Sequence, residues 1–82
     1  MFHVYAIMSL NRNYIYVGFT NNLERRLLEH NNGYNKTTKP YRPFKLLFSE
    51  IHPTRIGAKK IEKYLKSGIG KEFLKSLINT ID

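Results

Sequence analysis

The sequence has no cysteine. That excludes disulfides, a thiolate nucleophile and a cysteine-based zinc site, and it fits a reducing, cytoplasmic setting. No apolar run approaches the roughly 20 residues of a membrane span. The opening stretch MFHVYAIMSL is apolar but has neither a basic start nor a small-residue cleavage site, so it reads as a strand rather than a signal peptide. There is no internal repeat, linker or low-complexity tract, and residues 1–82 read as a single domain. Acids are scarce too: 6 Asp+Glu face 14 Lys+Arg, a net charge of +8. So basic a domain attracts polyanions, nucleic acid above all, and charge alone does not separate DNA from RNA. An anionic membrane would compete with the core for the apolar helix faces.

What is present suffices for a small core. Apolar residues make up 41% of the chain and aromatics 13%, too much for a disordered chain. A domain of this size buries only about 60–65% of the surface its unfolded chain exposes. Residues 2–8 and 14–18 are rich in Val, Ile, Tyr and Phe and flank SLNRN, which predicts a β-hairpin. Asn21 with Glu24 has capping-box spacing, and Gly33 suits a helix stop, so a helix is expected over about 22–32. YNKTTKPYRP reads as a loop, FKLLFSEI (44–51) as a third strand, 55–67 as a second helix and 71–81 as a third. The order β-β-α-β-α-α predicts an α+β fold: a three-stranded antiparallel sheet flanked by helices.

Several residues ask for a chemical account. A hairpin centred between Leu10 and Asn11 would oppose Tyr5 directly to Tyr16, with Tyr14 and Gly18 on the same face. Gly18 would leave room beside the phenols for close approach. Opposed aromatics are also ordinary sheet packing. Arg26 and His30, four residues apart, share a helix face bordering Leu23 and Leu27, at the edge of the core. The bland reading is a surface arginine and a histidine favouring the helix dipole. Glu62 is the only acid between Ile51 and Lys71, among Arg55, Lys59, Lys60, Lys63, Lys66 and Lys71. It could hold a hard cation against a phosphate, or simply pair with Lys66. Lys36, Lys39, Arg42 and Lys45 sit among Tyr34, Tyr41 and Phe44, a pattern for phosphate contact with base stacking or for a solvated loop.

Together these pieces resemble the GIY-YIG nuclease family over nearly the whole chain. The first motif stands as His3-Val4-Tyr5 and the second as Tyr16-Val17-Gly18, followed by TNNLERRLLEHNNG and, later, AKKIEKYLKSGIGKEFLKSLI. TKPYRPFKLLFSE is similar to small stand-alone bacterial members, related to the N-terminal nuclease domain of the bacterial excision-repair nuclease. The resemblance implies hydrolysis of DNA phosphodiester bonds with one divalent metal, Mg²⁺ or Mn²⁺. Glu62 matches the metal ligand, Arg26 the catalytic arginine, His30 a position often functional, and Tyr5 and Tyr16 the motif tyrosines. Tyr5 is taken as general base with Tyr16 in support; the reverse assignment stays open. Gly18, Lys36, Lys39, Arg42 and Lys66 are expected to contact nucleic acid. Departures are His3 for Gly, Val4 and Val17 for Ile, and Phe19 where excision-repair members carry Lys, so that cationic contact is missing. The motifs do not place the asparagine found late in some members; Asn79 stands only as a guess for it.

Two functions follow. One is a metal-dependent DNA endonuclease of weak sequence specificity, acting in repair or recombination, that reads DNA shape or ends or relies on a partner protein for its target. The other is a DNA- or RNA-binding module of the same fold without chemistry.

Overall fold

A computed structural model describes residues 1–78. The elements are β1 (Phe2–Ser9), β2 (Ile15–Thr20), α1 (Leu23–Asn31), a 3-10 turn (Lys39–Tyr41), β3 (Phe44–His52), α2 (Arg55–Lys66) and α3 (Gly68–Ile78). The expected order holds. The sheet is antiparallel throughout, with β1 in the centre and β2 and β3 at its edges.

The sheet has two covered faces. Val4, Ala6 and Val17 point to one side and meet Ala58 and Leu65 of α2 and Leu74 of α3. Tyr5, Ile7 and Phe44 point to the other, with Leu23 and Leu27 of α1 and with Tyr14, Tyr16 and Tyr41 packed beside them. Period-two alternation is what allows one strand to serve two cores. A bulge between Ala6 and Ile7 leaves Leu47 of β3 extra and turns it into the α2 side.

Four expectations are corrected. The hairpin pairs Tyr5 with Gly18 and Ile7 with Tyr16, so the two tyrosines are diagonal rather than opposed. The cause is Ser9: its hydroxyl accepts from the backbone N–H groups of Asn11 and Arg12, while its own N–H reaches the Tyr14 carbonyl at 2.9 Å. That moves the turn on by one residue. Paired residues now sum to a larger number of the same parity, so Tyr14, Tyr16 and Gly18 keep the face expected of them. The cap of α1 is Asn22, whose side chain accepts from Arg25 N–H at 3.1 Å, not Asn21. Its end matches expectation: Gly33 takes φ +79°, with Gly33 N–H on His30 and Tyr34 N–H on Glu29. The third helix starts at Gly68 rather than at 71, because Ser67 both ends α2 and accepts from Gly70 N–H to open α3. Ile81 and Asn79 lie outside the described residues. The fourth correction concerns the depth of His30 and is taken up with the site.

Candidate active site

β1 and β2 place Tyr5, Tyr16 and Gly18 side by side under α1. Gly18 is buried, and a Cβ there would lie 2.8 Å from the Tyr5 hydroxyl oxygen and 3.1 Å from Tyr16 Cε2. The space beside the phenols, expected to admit a ligand, is therefore filled by the ring of Tyr5 itself. The two phenol rings stand 6.4 Å apart, and the His30 ring lies 5.1 Å from that of Tyr16.

His30 is not at the edge of the core. It is 0% exposed. Its Nε2 lies 2.8 Å from the Tyr5 hydroxyl and its Nδ1 2.8 Å from the Thr38 hydroxyl, which is buried as well. Burial, with the Arg26 charge in support, lowers the pKa of this imidazole, so it is neutral at pH 7. Tyr5, 1% exposed, is pushed up to about 12, chiefly by burial; the adjacent Arg26 guanidinium opposes the shift and Glu62 adds to it. Arg26 is held from its other side by Glu29, 3.1 Å away on the next turn of α1. Contact with the Tyr5 phenol raises the Arg26 pKa further, so its charge is permanent.

Glu62 comes from α2, which packs on the opposite face of the sheet from α1. Its side chain is 19% exposed and lies 3.4 Å from the Nζ of Lys66. That pair was the bland expectation, and it forms; a helix pair of this kind contributes only about 0.3–0.5 kcal/mol. A single half-buried carboxylate with an exposed ammonium partner suits a hard cation whose other ligands are waters and phosphate oxygens. Among the described residues no three His, Cys, Asp or Glu cluster as metal ligands would.

A cleft of about 500 Å³ runs along the outer edge of β2. Tyr14, Tyr16, Lys66, Lys71 and Lys75 border it over a floor that includes Leu65 and Leu74. Lys75 carried no functional assignment in the sequence and Lys71 only a place among the bases near Glu62; the signal would have been that 66, 71 and 75 converge once the third helix begins at 68. Tyr16 lines this cleft and Tyr5 does not. Lys36, Lys39 and Arg42 are exposed in the segment between α1 and β3. That segment is tied to the cleft by the Tyr14–Tyr41 stack, 3.9 Å between centroids and 8° between planes. Of its expected stacking aromatics, Phe44 is core and Tyr41 is already stacked, which leaves Tyr34, 75% exposed. At Phe19, where a lysine was the alternative, the Arg55 guanidinium lies 5.7 Å over the ring.

Two tyrosines, an arginine and a histidine gather on one face of the three-stranded sheet, and Glu62 stands on the helix that covers the other. The GIY-YIG catalytic domain pattern matches residues 1–73, and the chain belongs to that family, among its small bacterial UPF0213 proteins. It is 37% identical over 65 residues to the UPF0213 protein YazA of Bacillus subtilis, covering 78% of this chain and 66% of that one. It is 32% identical over 76 residues to a UPF0213 protein of Staphylococcus epidermidis, covering 92% of this chain and 93% of that one. The chain thus spans about two thirds of the length of its Bacillus subtilis relative. The solution NMR structure of a UPF0213 protein from Bacillus halodurans, 31% identical, superposes with a TM-score of 0.55 over 94% of this chain and 85% of that one. No helix of the described residues is long and apolar enough to cross a membrane.

Proposed function

We propose that this protein is a divalent-metal-dependent endonuclease that hydrolyses DNA phosphodiester bonds with little sequence specificity, in repair or recombination. The observation that carries the proposal is that Tyr5, Tyr16 and His30 are packed together under α1, with the Tyr5 hydroxyl 2.8 Å from His30 Nε2 and the Arg26 guanidinium beside them, on the face of the sheet where the family's motif residues fall. Glu62 would hold Mg²⁺ or Mn²⁺, and the bound ion would supply stabilisation of the charge on the departing oxygen. With one protein carboxylate, metal binding without DNA is weak.

The chain's own residues divide the remaining work. Arg26 is charged, half-exposed and braced by Tyr5 and Glu29, so it stabilises the negative charge that grows on the phosphate. The sequence favoured Tyr5 as base. Its burial and its pKa near 12 argue for the reverse. Tyr16, which faces the cleft, is the phenol that water and phosphate reach. In its phenolate form it takes a proton from the attacking water as the new P–O bond forms and the old one breaks. Lys66, Lys71 and Lys75 carry the strand along the cleft, and Lys36, Lys39 and Arg42 extend the same charge past the tyrosine stack. The test is nicking of supercoiled plasmid at low salt with Mg²⁺, Mn²⁺ or EDTA, wild type against Glu62→Gln. Metal-dependent nicking by the wild type alone supports the proposal. Binding by both proteins without nicking, on plasmid and on branched DNA, would leave a non-catalytic binding module.

A further inference from the structure

Thr38 opens the stretch TKPYRPFKLLFSE and carried no functional assignment, yet it is 0% exposed and its hydroxyl meets a buried histidine. Buried hydroxyls are expensive unless they are satisfied. Thr38 has two neighbours: His30 Nδ1 at 2.8 Å and, more distantly, the Asn35 carbonyl at 3.5 Å. A carbonyl only accepts, so the Thr38 proton points to Asn35 and its oxygen is left to accept from His30. At the far end of the line, Arg26 has only donors to offer the Tyr5 hydroxyl, so the Tyr5 oxygen accepts there and its proton turns to His30 Nε2. The two ends agree on one arrangement of the neutral imidazole between them: hydrogen on Nδ1, lone pair on Nε2.

We infer that Thr38 is a positioning residue: it fixes the Nδ1–H tautomer of His30, which turns the Tyr5 proton inward and leaves the Tyr5 oxygen to hold Arg26. The line then runs in one direction, from Arg26 through Tyr5, His30 and Thr38 to Asn35. Asn35 is itself anchored, because its side-chain oxygen accepts from the N–H groups of Thr37 and Thr38 at 2.9 and 3.2 Å. A residue in the basic segment thereby governs the guanidinium on α1 without touching it. If the hydrogen sat on Nε2 instead, the imidazole would donate to the Tyr5 oxygen and compete with Arg26 for it. The consequence for turnover rests on the nuclease reading; the tautomer does not.

The experiment is ¹⁵N NMR of the imidazole nitrogens at pH 7.5, with His3→Gln and His52→Gln assigning the His30 signals. The variants are Thr38→Val, which keeps the shape and loses the hydroxyl, Thr38→Ala and Thr38→Ser. The wild type and Thr38→Ser should show Nδ1–H, and Thr38→Val should move His30 towards Nε2–H. Plasmid nicking by Thr38→Val should fall about tenfold in kcat with little change in KM, the size of one lost hydrogen bond in the transition state, and Thr38→Ser should restore it. Should Thr38→Val fail to fold, Thr38→Ala carries the same expectation. Nε2–H in the wild type, or Nδ1–H retained in both hydroxyl-free variants, overturns the inference. If no protein nicks DNA but the tautomer moves as stated, the inference stands and the nuclease reading fails.

Discussion

Replacing Gly18 by alanine tests the packing of the site more sharply than removing a side chain would. The new Cβ would stand 2.8 Å from the Tyr5 hydroxyl oxygen, 3.0 Å from Tyr5 Cζ and 3.1 Å from Tyr16 Cε2. Something must move by about half an ångström, since carbon–carbon contacts settle near 3.5–4.0 Å. The Tyr5 ring has no free direction: it is enclosed, and its hydroxyl sits 2.8 Å from His30 Nε2. Gly18→Ala should therefore cost about 1–3 kcal/mol, the range for overpacking a filled core. For a domain of this size that lowers Tm by roughly 4–8 °C per kcal/mol. Moving the phenol also moves Arg26, and nicking should fall by about 10²-fold, as displacements of an ångström do elsewhere. Tyr5→Phe alone removes the partner of a buried imidazole nitrogen and should cost about 1–3 kcal/mol. In the double variant the nearest clashing atom is gone. The two costs should then sum to less than their parts, by about 1 kcal/mol in a urea-unfolding cycle. Additivity within about 0.5 kcal/mol, or a Gly18→Ala protein with wild-type Tm, would show that the phenol is free to shift and that the site is looser than described.

Other outcomes follow from the same geometry. Glu62→Gln should abolish nicking while DNA affinity holds or rises, since an anion has left a basic surface; a gel-shift titration beside the nicking assay checks both. Lys71→Ala and Lys75→Ala should each weaken DNA binding and reduce the slope of log K against log salt by about 1, and an unchanged slope would remove the cleft from the DNA path. The His30 pKa is depressed on folding, so its contribution to stability is present above about 6.5 and is lost as pH falls below that value; urea midpoints between pH 7.5 and 5 should decline, and less so in His30→Gln. Tyr5 has its pKa raised from 10 to about 12, so stability is untouched below pH 10 and declines between 10 and 12 by up to roughly 3 kcal/mol. Tyrosinate absorbance should show that phenol ionising only as the protein unfolds.

How far the sequence carried can be argued residue by residue. Alternation placed the tyrosines on one face and survived an error in the turn, because the true register differs by an even step. The turn itself was opaque: it depends on the Ser9 hydroxyl capturing two backbone donors, a choice that local composition does not encode. Helical spacing put Arg26 and His30 together but gave the wrong depth for His30, because the segment after the helix folds back and covers it with Thr38. The helices expected over 55–67 and 71–81 left residues 68–70 between them, and only the geometry shows Ser67 capping straight into the third helix. Glu62 was legible as an anomaly of charge; that its helix covers the opposite face of the sheet from Arg26 needed three dimensions.

The strand order carries one more consequence. β1 is made first but lies in the middle, and its second neighbour, β3, closes only at His52. A chain emerging from the ribosome therefore has both tyrosines, Arg26 and His30 in hand while the central strand still has an open side. The residue proposed to carry the cation, Glu62, arrives ten positions after the sheet is complete. On the proposed reading, a half-made copy can cling to nucleic acid and cannot cut it.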